Sequence, residues 1–110
     1  MRRSLLAGKR VSNDPAARSI CDALLSPTPG ELTFALARRL LAGGVAVSDD
    51  EVRNAMRVAF ETLKLVLEPG GAAALAAVLG KKLDLGGKTV AVIASGGNVD
   101  RASFAAALAD

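Results

Sequence analysis

Ser95-Gly96-Gly97-Asn98 follows directly on six uncharged residues, Thr89-Val90-Ala91-Val92-Ile93-Ala94. An apolar β-branched run, then a hydroxyl, two glycines and an amide, then a helix start, is the form of an anion- or ring-binding turn. Glycines let the backbone approach a ligand closely, and the first turn of a helix offers unpaired amides. Ser95 would stand at the carboxyl end of a strand, where ligands bind in open α/β sheets. The same spacing also describes an ordinary tight strand–helix connection. No Gly-Lys-Ser/Thr follows, so this is not a Walker loop, and it lacks the dinucleotide fingerprint.

Other chemistries are excluded by composition. The 110 residues contain no His, which removes His-based triads, His metal sites and histidine pH switches. One cysteine, Cys21, excludes an internal disulfide and a cysteine zinc site and points to a reducing compartment. The net charge of +3 is spread over Arg2, Arg3, Lys9, Arg10, Arg38, Arg39, Lys81 and Lys82, and there is no Trp or Tyr to stack on bases. That argues against nucleic acid as a partner. No window approaches the roughly 18 apolar residues of a membrane span, and Lys9 and Arg10 interrupt the only leader-like start. A cytoplasmic protein without a membrane partner is the expectation.

The elements that must position the turn are read next. Asn13-Asp14-Pro15 is a turn signal, with Asp14 placed to cap a short helix opening at Pro15. Ser26-Pro27-Thr28-Pro29-Gly30 is a rigid loop. A helix is predicted over Glu31–Leu41, with a stripe of Leu32, Phe34, Leu36, Leu40 and Leu41, stopped by Gly43-Gly44. Val45-Ala46-Val47 reads as a short strand. Ser48-Asp49-Asp50-Glu51 is a capping box, opening a helix predicted to reach about Leu67 with Val52, Met56, Ala59, Phe60, Leu63 and Val66 on one face. Glu68-Pro69-Gly70-Gly71 breaks it, and an Ala-rich helix, closely packed on several sides, is predicted from Gly71 to Leu79. Asp84–Lys88 is a turn, Thr89–Ala94 a strand buried on both faces, and Asp100–Leu108 a last helix.

The fold class these elements imply is α/β, with helices packed on a small, mostly parallel sheet, in one segment over residues 1–110. Two parallel strands do not make a stable sheet. The chain therefore reads as the edge of a larger domain.

Glu68-Pro69-Gly70-Gly71-Ala72-Ala73-Ala74-Leu75-Ala76-Ala77 and Ser95-Gly96-Gly97-Asn98-Val99-Asp100 stand in that order, about thirty residues apart. With the capped helix and the Ser-Pro-Thr-Pro-Gly loop upstream, they resemble the carboxy-terminal part of the threonine/serine dehydratases. These are pyridoxal-phosphate lyases of the tryptophan-synthase-β-like fold (fold type II), a group that also includes serine racemase. The resemblance implies a partial domain of that fold, with pyridoxal phosphate as cofactor and α,β-elimination of L-threonine or L-serine to a 2-oxo acid and ammonia as the reaction. It implies that Ser95 hydrogen-bonds the pyridine nitrogen, that Gly96, Gly97 and Asn98 shape the turn, and that Glu68 lies near the cofactor. Cys21-Asp22-Ala23 matches a family stretch passing the cofactor face, with Ala23 where the family carries Gly. A neutral hydroxyl on the ring nitrogen makes a weaker electron sink than a carboxylate, which suits rapid loss of a β-hydroxyl.

The family's Schiff-base lysine, its phosphate-binding Gly-rich loop and its acidic metal-site residues match positions before Met1. The resemblance thus assigns no catalytic residue and no metal ligand to this chain, and Lys9, Lys64, Lys81, Lys82 and Lys88 occur in other contexts. The expectation is a chain inactive alone, which is a homo-oligomer or needs an amino-terminal part, with an amino-acid substrate in the full-length family. A non-catalytic remnant, a partner completing a site with a second polypeptide, and a small anion-binding module are the alternatives.

Overall fold

The computed structural model describes residues 1–109. Five α-helices follow in order: α1 (Arg2–Ala7), α2 (Glu31–Leu40), α3 (Asp49–Val58), α4 (Pro69–Leu79) and α5 (Arg101–Leu108). A single 3₁₀ turn, Asp22–Leu24, precedes α2, and a π turn, Ala59–Leu63, extends α3.

Local chemistry sets the helix starts. Ser48 Oγ accepts from the Glu51 amide at 3.2 Å, and Glu51 Oε2 accepts from the Ser48 amide at 2.7 Å, so the capping box forms in both directions. Asp100 Oδ1 accepts from the Ser103 amide at 2.9 Å and starts α5. Pro69 opens α4 in the first helical position, where its missing N–H costs nothing. The helix after the capping box does not reach Leu67. Its α-geometry ends at Val58, the π turn follows, and Lys64 in the left-handed region (φ 58) closes it. At Pro15 only one turn forms, with Asp14 Oδ1 accepting from the Ala16 amide.

The core lies where α3 packs between α4 and α5. Val52, Ala55, Met56 and Ala59 pack with Ala72, Ala76, Ala107, Leu67 and Cys21. Alanine on α4 lets the helices come close, as an aliphatic interior without large aromatics requires. Phe60 meets Phe104 edge-on at 5.5 Å between ring centres. On α2 the leucine stripe faces outward. Phe34 and Ala37 are buried, while Leu32 and Leu40 are about three-quarters exposed, at 74% and 75%.

The α/β expectation is corrected: among the described residues there is no strand and no sheet. Thr89–Ala94 and Val45–Val47 have no ladder partner. Residue type gives a run its preference for a sheet, but the hydrogen bonds of a strand come from a neighbour. Nor is the run buried on both faces: Ile93 is 80% exposed.

The whole is a plate, 39 × 38 × 19 Å, with a radius of gyration of 14.7 Å. A compact chain of this length would have a radius of about 13 Å. The accessible surface, 7604 Å², exceeds the roughly 5,700 Å² of a self-contained domain of this mass. No helix among the described residues is long and apolar enough to cross a membrane.

Candidate cofactor-ring site

The two glycine-containing blocks interlock. The Glu68 amide donates to the Gly96 carbonyl at 2.9 Å. Gly71, in the first turn of α4, lies so close to this turn that a Cβ there would stand 2.7 Å from Gly96 O and 2.9 Å from Gly96 N. A Cβ on Gly96 would stand 2.7 Å from Glu68 Oε1, and one on Gly97 would stand 2.8 Å from Val66 O. Glycine is required at Gly71 and Gly97 by neighbouring backbone, while at Gly96 the neighbour is the movable end of the Glu68 side chain.

The third stretch joins them. The Cβ direction of Gly70 points at Ala23 Cβ and Leu24 Cγ, each 3.7 Å from where a Cβ would be, with Glu68 Oε1 at 3.9 Å. The half-buried Glu68 carboxylate thus lies between Gly70 and Gly96, with Ala23 across Gly70. Asp22, next to Ala23, opens the 3₁₀ turn packed on α4.

Ser95 and Asn98 flank this junction and are exposed. Ser95 does not end a strand, because none forms, but it is held through its neighbour Gly96. The Val99 amide donates to Gly97 O at 2.9 Å, a tight turn that carries the chain into the Asp100 cap. Ala23, Glu68, Gly96 and Gly97 are therefore brought together, and Ser95 and Asn98 form the solvent edge of the junction.

Three lysines are engaged elsewhere: Lys64 Nζ donates to Glu61 O, Lys88 Nζ to Asp84 O, and Lys82 pairs with Glu51. The Glu51 carboxyl is held below its ordinary value by Lys82 first and then by the Ser48 amide. Burial pushes the Cys21 thiol up.

Reading the blocks as motifs did not show why Gly71 must be glycine, nor that Val66 lies over Gly97. The signal for Gly71 was present in the Pro-Gly-Gly order. The second glycine falls inside a helix, where it costs about 1 kcal/mol against alanine and calls for a packing reason.

Residues 1–96 match the family model described as "Pyridoxal-phosphate dependent enzyme". The chain belongs to this family. It is 43% identical over 106 residues to a phenylserine dehydratase of Ralstonia pickettii, covering 96% of this chain and 32% of that protein. To a serine racemase of Dictyostelium discoideum it is 39% identical over 107 residues, covering 93% of this chain and 32% of the relative. The crystal structure of the T.th. threonine deaminase superposes with a TM-score of 0.81 at 38% identity, covering 90% of this chain and 33% of the other. The chain spans about a third of the length of these relatives. The surplus surface and plate-like shape fit that share. The relatives fall among pyridoxal-phosphate-dependent dehydratases and racemases, as the two glycine blocks indicate.

The residues present suit one edge of that cofactor. Gly96 and Gly97 leave the turn bare of side chains, and Ser95 presents a neutral hydroxyl at its open side.

Proposed function

We propose that this chain forms the ring-binding wall of a pyridoxal-phosphate-dependent dehydratase or racemase acting on a β-hydroxy amino acid, L-threonine or L-serine. The 110 residues alone do not turn over substrate in this reading. The observation that carries it is the convergence of Ala23, Glu68 and Gly96, from three separate stretches, on one junction beside Ser95.

When bound, the cofactor withdraws electrons from the substrate's α-carbon. Ser95 Oγ would donate to its ring nitrogen without protonating it, which favours loss of the β-hydroxyl. Gly96 and Gly97 hold Ser95 in place through the Glu68 amide and the contact with Val66. The Glu68 carboxylate lies beside the turn. Lys64, Lys82 and Lys88 are held in other contacts, so this reading gives none of the three a role at the cofactor. The surplus surface supports assembly with further polypeptide, in a homo-oligomer or with the part that carries the family's Schiff-base lysine.

Two measurements test this. Purified chain with added pyridoxal phosphate and L-threonine is expected to form 2-oxobutanoate no faster than free cofactor does. A chimera in which this chain replaces the matching third of the Ralstonia phenylserine dehydratase is expected to release ammonia and to lose most of that activity on Ser95→Ala. Full activity in the Ser95→Ala chimera, or turnover by the chain alone, refutes the proposal.

A further inference from the structure

We propose that Asp49 is a positioning residue of this site, holding Ser19–Cys21 so that Ala23 lies against Gly70, beside Glu68. The inference rests on the ring-binding reading above, and its geometry is independent of it.

Asp49 sits in the first turn of α3, beside the capping box but outside both of its hydrogen bonds. Its two oxygens reach different groups of one distant segment. Ser19 Oγ donates to Oδ1 at 2.6 Å, and the Ile20 amide donates to Oδ2 at 3.1 Å. Ser19 Oγ in turn accepts from the Cys21 amide at 3.0 Å. A hydroxyl has one proton to give and lone pairs to accept with, so Ser19 relays the grip one residue further. Cys21 is buried in the core, and the 3₁₀ turn carrying Ala23 begins at the next residue.

These contacts close a triangle. α3 packs along α4 through Val52, Ala55 and Met56 against Ala72 and Ala76. The start of α4 bears Gly70, which Ala23 faces. Asp49 ties the remaining corner, from the start of α3 to residues 19–21. A role confined to the helix dipole would not select this carboxylate, because Asp50 stands at the same helix end and pairs with Arg53 on the surface.

The test uses the purified 110-residue chain. In Asp49→Asn the carboxylate charge is lost and one oxygen becomes an amide donor, so the bond with Ser19 Oγ survives only by reversing and the charge-assisted hold on residues 19–20 is weakened. The expected result is exchange of the Ile20 and Cys21 amide protons about tenfold faster, the equivalent of one charge-assisted hydrogen bond, with loss of the nuclear Overhauser contact between Ala23 and Gly70. Ser48→Ala loosens the same helix start without touching the grip and is expected to leave Ala23 in place. Ser19→Ala, outside α3, is expected to free the Cys21 amide and Ala23 even where Asp49→Asn folds poorly. On titration with pyridoxal 5′-phosphate, the Ala23 and Gly96 amides shift together in the parent chain, and only Gly96 shifts in Asp49→Asn. The proposal is overturned if Ala23 keeps its contact with Gly70 in both grip variants, or if Ser48→Ala moves Ala23 as far. Absence of a Gly96 shift in the parent chain counts against the ring-binding reading instead, and leaves the exchange result to decide on Asp49.

Discussion

Replacing Gly71 by alanine tests the interlock of the two glycine blocks directly. Gly71 lies inside α4, where alanine is the better helix former by about 1 kcal/mol. On propensity alone the substitution stabilises. The structure predicts the opposite sign, because the new methyl would stand 2.7 Å from Gly96 O and 2.9 Å from Gly96 N. Both atoms are backbone, so relief needs the α4 start and the 95–98 turn to separate. Overpacking of this kind costs about 1–3 kcal/mol, and loss of the Glu68 amide bond to Gly96 O adds about 0.5–1.5 kcal/mol. The net expectation is destabilisation by about 1–3 kcal/mol. Two neighbours calibrate it. At Gly70 the added methyl meets Ala23 and Leu24 at an ordinary 3.7 Å, so Gly70→Ala is expected to stabilise by about 0.4–1 kcal/mol. At Gly96 the obstacle is the end of the Glu68 side chain, which can swing away, so Gly96→Ala costs less than Gly71→Ala. Urea unfolding followed by circular dichroism ranks the three, and exchange of the Glu68 amide proton reports the interlock. A Gly71→Ala chain as stable as Gly70→Ala, with its Glu68 amide still protected, would refute the packing argument.

Ser48→Ala is expected to cost about 1 kcal/mol, read from urea midpoints, with the first turn of α3 frayed. The lowered Glu51 and Asp100 carboxyls favour the folded state when ionised, so their contribution is complete above the ordinary carboxylate value and is lost as pH falls through the lower folded value. Helicity should fall on acidification in that range, and Lys82→Met should move the Glu51 part of the transition upward. Ile93→Lys, at a residue 80% exposed in an uncharged run, is expected to reduce self-association in size-exclusion chromatography without lowering helicity.

What could be read from the residues follows a physical line. The capping box, the Asp100 start and the turn at Asp84–Lys88 depend on neighbours within four positions, and all form as their spacing implies. The end of α3 does not announce itself, because it is made by a π turn and a left-handed lysine where a glycine would have marked it. The strand reading failed because a strand exists only with a partner, and an apolar run says nothing of where the partner comes from. For the same reason the leucines of α2 face water although their spacing is that of a core helix. At the site, the residue types and order were legible in the two glycine blocks. The grip of Asp49 on Ser19 and Ile20 was not, since it joins positions about thirty residues apart.

The interlock between Gly71 and Gly96 also says where the chain tolerates added length. The intervening stretch closes a loop of about 25 positions, and its turn at Asp84–Lys88 is exposed over most of its length. Closure entropy grows only with the logarithm of loop size, so a dozen extra residues there would cost about 0.3 kcal/mol. An affinity tag or fluorescent-probe peptide inserted after Gly86 should leave the glycine contact intact. An insertion of the same length between Glu68 and Gly71 would destroy it.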